Sequence, residues 1–571
     1  MKERTIQLTK RLNTDAAQHD THGKQQTRPP LTPRRVLDSS KSIRVKGRID
    51  FIRQLPLEIV MTRLIPMLMH NADLDSSIPC AYIHVSQLWC DRIAQCFGGL
   101  HFNIHWEEEY NKEKCSQLAQ FAQYATRLSI SWYKDWIADV LYVNNLCSLR
   151  ELHIQGLSDE ETGRRFFTAL RKIGSTLTHL FIQFNHLPLS DLLSACPNLL
   201  SLELQCPTHD IISSLPPTTW TKLTTLHIGD ASQWITRDQV ITVCKHFPSL
   251  KKLHLSSCSD IQSVLVVTQY LPSMTRLDMT ISGDKVCFTY FDQGNACGAH
   301  GITHLSIRGH ARRLVKDICS ALSMYHTTLV QLSWNLVVFT SDDIYSIHFT
   351  CLKKLVLGSS GCWILRNAPL LEELEISANA IDNHPAVLDT TPPKLDKLKL
   401  RLYPTPDFYM TRVEHYLNRF AQQKMSRLKE LVIETHTLED LRKMHEPISR
   451  LEHWERLMIN CWPWNSSQFE SFLQGLAKGC RQLKSLELRC PNTPSTYSIN
   501  ALKRLGCLRH FAFSIRGTKD DDCFWDAIES FSQLKCIEMH PPVAISTVRL
   551  RRLREQRPDL KIMAREAYIH I

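Results

Sequence analysis

Glycine is scarce in this chain, 19 residues in 571, which argues against a Gly-rich β-sandwich and against long flexible linkers. No run reaches the roughly 18 consecutive apolar residues that a membrane-crossing helix needs, and no secretory apolar stretch follows Met1. Cysteine is plentiful at 20 residues, but no two stand in a CxxC pair and all are diluted over a long chain. That distribution fits reduced thiols packed as small apolar groups in the cytosol or nucleus, not a disulfide framework. A Walker loop, GxGxxG, HExxH and GxSxG are all missing, so the sequence points to no enzyme and to no cofactor or metal. A GTPase-activating protein would need a catalytic arginine on a loop, and nothing marks one.

Charge is present but uneven. Residues 1–48 hold 12 Lys/Arg against 4 Asp/Glu, while the remainder holds 56 against 53. The excess belongs to a basic leader, read as solvated and disordered, although such a tail has the charge to touch nucleic acid or an acidic membrane or to act as a nuclear signal. The nearly balanced body gives no reason to expect nucleic acid or a membrane as a partner.

What the body does contain is a repeat. The pattern apolar-x-x-apolar-x-apolar recurs from Leu149/Leu152/Ile154 through Leu177/Leu180/Ile182, Leu253 with its neighbours Leu250 and Leu255, and Leu371/Leu374/Ile376, to Leu534/Ile537/Met539. Sixteen clear copies span 385 residues at about 25.7 residues per step, with Ala125/Leu128/Ile130 a degenerate earlier copy. That period lies in the leucine-rich-repeat range. The last two apolar positions are two apart, so both side chains fall on one face of a short strand. A single copy cannot bury that face, whereas stacked copies share a continuous core.

Between strands, Phe166/Leu170/Ile173, Val240/Val243/Phe247, Leu314/Ile318/Leu322, Phe472/Leu476/Cys480 and Phe524/Ile528/Phe531 follow helical spacing. The expected fold is α/β: a leucine-rich-repeat solenoid over 98–571 with about 16–17 coils, strands on a concave side and helices on a convex side. Two steps are irregular. Nineteen residues from Leu352 to Leu371 predict a missing helix, and 33 from Leu395 to Leu428 predict an insertion near Tyr403–Phe408. Asp520 to Asp522 reads as a helix start. Cysteines recur near helix ends and after strands, as in Cys196/Cys206, Cys244/Cys258 and Cys480/Cys490, which resembles the cysteine-containing leucine-rich repeats of F-box proteins. A zinc site would need four ligands at tighter spacing.

Ahead of the repeats, 49–97 is of a different kind. Leu55-Pro56-Leu57-Glu58-Ile59 starts a helix, with Pro56 at a position whose missing N–H is not needed. Ile59, Val60, Leu64 and Leu68 continue an apolar stripe, and Tyr82, Val85, Leu88/Trp89 and Ile93 form a second. These two signatures resemble an all-helical F-box, lengthened at His70–Pro79 and carrying Pro66 in its first long helix. The resemblance implies a non-enzymatic substrate receptor: Leu55, Pro56, Glu58, Ile59, Leu64, Leu68, Val85, Trp89 and Ile93 would bind a Skp adaptor and, through it, a cullin–RING ubiquitin ligase. The alternative is a repeat scaffold that binds protein without ligase work.

The repeat leucines should only pack, so binding falls to the strand positions between them. Glu373 and Glu375 are acidic, Lys397, Lys399 and Arg401 basic on the next strand, and Glu430 and Glu434 acidic again. Such rows either attract one another across strands or offer a charge-complementary face to an unidentified protein target. His153, His227, His254 and His304 lie on or beside strands, with His227 and His254 at one position of adjacent repeats, as exposed polar groups of a recognition surface.

Overall fold

A computed structural model of the protein describes residues 57–59, 91 and 94 and most of 99–564. The chain divides into two units, Met1–Leu57 and Glu58–Ile571, and of the first only Leu57 is described. The basic leader, Leu314, Ile318 and the expected insertion at Tyr403–Phe408 lie outside the described residues.

The second unit contains nineteen described strands. They are β1 (Leu100–Ile104), β2 (Ala125–Ile130), β3 (Glu151–Ile154), β4 (His179–Gln183), β5 (Ser201–Gln205), β6 (Thr225–Gly229), β7 (Lys252–Cys258), β8 (Arg276–Ile281) and β9 (His304–Gly309). They continue as β10 (Gln331–Leu336), β11 (Lys354–Leu357), β12 (Glu373–Ser377), β13 (Lys397–Leu402), β14 (Glu430–Thr435) and β15 (Arg456–Cys461), then β16 (Ser485–Arg489), β17 (His510–Ser514), β18 (Cys536–His540) and β19 (Lys561–Ala564). Each pairs in parallel with its neighbours in the chain, β1 with β2 and β19 with β18 at the two ends, and leucine meets leucine across the joins: Leu226 with Leu253, Leu253 with Leu277, Leu374 with Leu398. Parallel neighbours need a crossover of a dozen or more residues, which the period supplies.

The sheet is held at strand starts as well as along strands. The carbonyl of Thr224 accepts from Lys251 N at 2.8 Å and Lys252 N at 3.0 Å, and that of Glu372 accepts from Asp396 N and Lys397 N at 2.8 and 3.0 Å. All three apolar positions in each of the seventeen copies are buried, none more than 5% exposed. The residues between them are mostly half-exposed, in the alternation of β4, β5, β12 and β13. The protein is therefore a leucine-rich-repeat solenoid of α/β class, with a packed apolar face and an open face of intervening side chains.

Helices fill the packed side as the spacing predicts. α1 (Glu160–Ile173) buries Phe166, Leu170 and Ile173. α2 (Arg237–His246) buries Val240 and Val243 and is started by Thr236, whose hydroxyl accepts from Gln239 N while the Gln239 side chain accepts from Thr236 N, a reciprocal capping box. The step from Leu352 to Leu371 keeps α3 (Trp363–Arg366), a single turn where none was expected. It fits because Gly361, at φ +107°, turns the chain against Trp334, where a Cβ would sit 2.9 Å from the indole. α4 (Ser466–Gly479) buries Phe472 and Leu476, and α5 (Asp522–Glu529) begins at Asp522 and buries Phe524 and Ile528. Cys196, Cys244 and Cys480 are buried, and burial pushes their thiols up to about 12, so they pack as small apolar groups.

Two strands exceed the expected seventeen copies. In β1 the residue opposite Ala125 is Leu100, 1% exposed and only two residues ahead of Phe102, with a register shift between Leu100 and His101 just after Gly99 at φ +119°. In β19 the leading position is Asp559, which accepts hydrogen bonds from Arg557 and Lys535 at 2.9 Å. Each end coil thus breaks the pattern at its first position.

The register assigns neighbouring residues opposite fates. Leu253 is 1% exposed between Leu226 and Leu277, while His254 faces outward. We expect Leu253→Asp to disrupt the adjoining coils and lower the melting temperature sharply, and His254→Ala at neutral pH to shift it by less than about 1 kcal/mol equivalent. Equal thermal shifts in the two variants would refute the register.

Candidate protein-binding face

The seven charged residues singled out in the sequence come together on three adjacent strands. Lys397 Nζ lies 2.7 Å from Glu430, and Lys399 Nζ lies 2.8 Å from Glu434 and 4.0 Å from Glu375. Arg401 Nε bridges Glu375 at 2.7 Å and Glu434 at 3.1 Å. Glu373 turns the other way, to Lys354 at 3.2 Å, and Arg456 approaches Glu430 at 4.0 Å. The rows therefore run through five strands, β11 to β15, with alternating sign. Lys354 and Arg456 were not singled out from the sequence; only the register places them at the two ends of the row.

A parallel line of pairs runs along the strand starts: Lys353 with Glu372, Lys429 with Asp396, Lys484 with Glu455 and Lys535 with Asp559, all within 3.2 Å. These exposed pairs contribute little each, because solvent screens them. The inner network differs, because Glu375, Lys399 and Glu434 keep only 15%, 20% and 24% of their side-chain surface. There the charges are partly desolvated and depend on one another.

Further toward β1 the open face carries imidazoles. His153 stacks on Phe181 at 5.6 Å. His227 Nδ1 lies 2.9 Å from Glu203, and that hydrogen bond holds the Glu203 carboxyl below its ordinary range. His227 and His254 pair in register with ring centroids 3.9 Å apart. Burial, then the neighbouring His227, lowers His254 to about 4, so it is uncharged at neutral pH. Burial also lowers His153 and His304. Among the described residues no group of three or more His, Cys, Asp or Glu is arranged to hold a metal, and no helix is long and apolar enough to cross a membrane.

At the front segment, Glu58 and Ile59 lie in a helical turn, Leu57–Ile59, and both are exposed, Ile59 by 47%. Leu55, Pro56, Leu64, Leu68, Val85, Trp89 and Ile93 lie outside the described residues. Two residues near the second signature are visible. Asp91 accepts a hydrogen bond from the Tyr124 hydroxyl, just ahead of β2, and Ala94 is buried with its carbonyl accepting from Gly99 N at 2.7 Å.

No family model matches the chain, and no curated protein matches it. Among solved structures, an internalin from Listeria monocytogenes is similar over 73% of this chain and 88% of that one, with 13% sequence identity and a TM-score of 0.23. So loose a superposition carries no weight, and the repeat assignment stands on register and core alone.

Two measurements probe this face. Arg401→Ala leaves Glu375 and Glu434 opposed with only Lys399 between them, and should lower unfolding free energy in urea by about 1–2 kcal/mol, less in 1 M salt. An unchanged midpoint at low salt would show the network to be inert. For His254, the folded state resists a proton that the unfolded chain takes up near pH 6.5. Its stabilising contribution is full above that value and is lost as pH falls toward about 4. His254→Gln should flatten the decline in melting temperature across that window.

Proposed function

We propose that this chain is the substrate-recognition subunit of a Skp–cullin–F-box ubiquitin ligase. The front segment would bind the Skp adaptor through Leu55, Pro56, Glu58, Ile59, Leu64, Leu68, Val85, Trp89 and Ile93. A target protein would lie on the open face, where Glu373, Glu375, Lys397, Lys399, Arg401, Glu430 and Glu434 are the candidate contacts. The observation that carries the reading is the order of parts: a Leu-Pro-x-Glu-Ile turn with Glu58 and Ile59 exposed, a second apolar signature, then an unbroken run of repeats. A long parallel sheet with one open face supports the coarser half of it, a scaffold that binds protein.

The chain would contribute proximity and leave the chemistry to other subunits, since holding two reactants together is itself worth a large part of a barrier. Buried reduced thiols such as Cys196 and Cys244 suit the cytosol or nucleus. Because the charges at β12–β14 already satisfy one another, a target there must offer both signs in matching order, which favours specificity over raw affinity.

A second reading has its own support. The Asp91–Tyr124 hydrogen bond ties the end of the front segment to the repeat stack, as a helical cap would. The chain would then be a binding scaffold outside any ligase. Affinity capture separates the two. The full-length protein should co-purify the Skp adaptor and a cullin, and Leu55→Ala/Pro56→Ala should reduce their recovery at least tenfold. Recovery unaffected by the double substitution, or no adaptor at all, would leave the scaffold reading.

A further inference from the structure

The open face is electrically divided. From β11 to β15 each cation described above has an anion within 4.0 Å. Between β6 and β9 this balance fails. Arg276 holds Asp278 at 2.8 Å and Glu203 holds His227, but Lys252 on β7 and Arg308 on β9 are exposed and make no ion pair among the described residues. No acidic side chain on these four strands is left over for them.

The register fixes how these two cations are disposed. Lys252 pairs with Arg276 and Arg276 with His304, so Arg308 stands two strands across and four residues further along. At about 4.8 Å per strand and 3.3 Å per residue their Cα atoms are about 16 Å apart on the diagonal. Asp278, held by Arg276, lies at the midpoint of that diagonal, with His254 and the small Ser306, 7% exposed, level with it on the flanking strands. A single phosphate or carboxylate cannot touch both ends of such a diagonal. An extended peptide can, because side chains four residues apart share one face about 13 Å apart, and the long Lys and Arg side chains close the remainder.

We propose that the β7–β9 part of the open face binds an extended acidic peptide segment whose carboxylates, four residues apart and so on one face, reach Lys252 and Arg308. Half-buried His254 lies on β7 beside the course of such a peptide. Nucleic acid fits less well, since the path offers two cations where a continuous phosphate row needs many to hold it. The proposal rests on the reading that the open face is where a target protein sits, and adds to it the part of the face and the partner's chemistry.

The test uses the full chain, immobilised, and a display library of random twelve-residue peptides. Enrichment of peptides with Asp or Glu four positions apart is expected. Their affinity, measured by fluorescence polarisation on synthetic copies, should fall about two- to fivefold for each of Lys252→Ser and Arg308→Ser, more for both, and fall again on raising salt from 50 to 500 mM. Moving the two acids to two residues apart should weaken binding to the level of a single-acid peptide. The idea is overturned by enrichment of uncharged or basic peptides, by equal binding to the double variant, by indifference to the acid spacing, or by an oligonucleotide of equal charge binding as well. Neither substitution removes a packed group, so unchanged melting temperatures confirm that folding is intact. The adaptor takes no part in this assay, so its outcome is independent of the capture experiment that tests the ligase reading.

Discussion

A coil of this protein cannot stand alone. Leu250, Leu253 and Leu255 project from one short strand and its approach, and one repeat has nothing of its own to lay over them. They are buried because Leu223, Leu226 and Ile228 lie on one side and Met274, Leu277 and Met279 on the other. Every other feature follows from that dependence. The period must hold so that leucine meets leucine, the crossovers must stay long enough to return the chain to the same edge, and an interior polar substitution is felt by two neighbours at once. Cysteine serves in this core because it is small and, at buried sites such as Cys196 and Cys244, holds its proton.

The same register that stacks leucines also stacks whatever stands between them. A residue on the open face therefore has two fixed neighbours a strand away, and its electrostatics are decided by a row rather than by a contact. Between β11 and β15 the row alternates in sign and closes on itself, with Arg401 reaching the acids on both flanking strands. Between β6 and β9 the rows are richer in imidazole, and Lys252 and Arg308 make no ion pair among the described residues. One scaffold thus carries two kinds of charged row without any change in backbone.

Much of this was legible in the sequence because a period survives when individual residues vary. Trp454 and Phe511 in place of leucine did not hide their copies, since volume and polarity were kept. The end coils were hidden for two reasons: in the first, Leu100 takes the place of the leading position but stands two rather than three residues ahead of Phe102, and in the last that position is Asp559, joined to Lys535. The short step at Leu352 misled for a different reason. Its length suggested no helix, but the positive φ of Gly361 turns the chain tightly enough for one turn to fit. Of the charged face, the signs could be read along the chain and the seven residues do assemble. Which cations remain unpaired could not be read, because Lys252 and Arg308 are judged against neighbours on other strands.

The last described strand shows polar groups doing what leucine does elsewhere. Among the described residues β19 pairs with β18 alone. Its first position is Asp559, its last Ala564, and the helix before it, α6 (Thr547–Gln556), is rich in arginine. Arg557 then donates to the carbonyls of Glu529, Phe531, Ser532 and Leu534, satisfying backbone groups of the preceding coil. Arg549 pairs with Asp522 and Asp526 on α5. The apolar contact that one more coil would have supplied is thus replaced by hydrogen bonds and ion pairs directed back into the stack. The polar residues that obscure the repeat at this end of the sequence are thus the ones that direct hydrogen bonds and ion pairs back into the preceding coil.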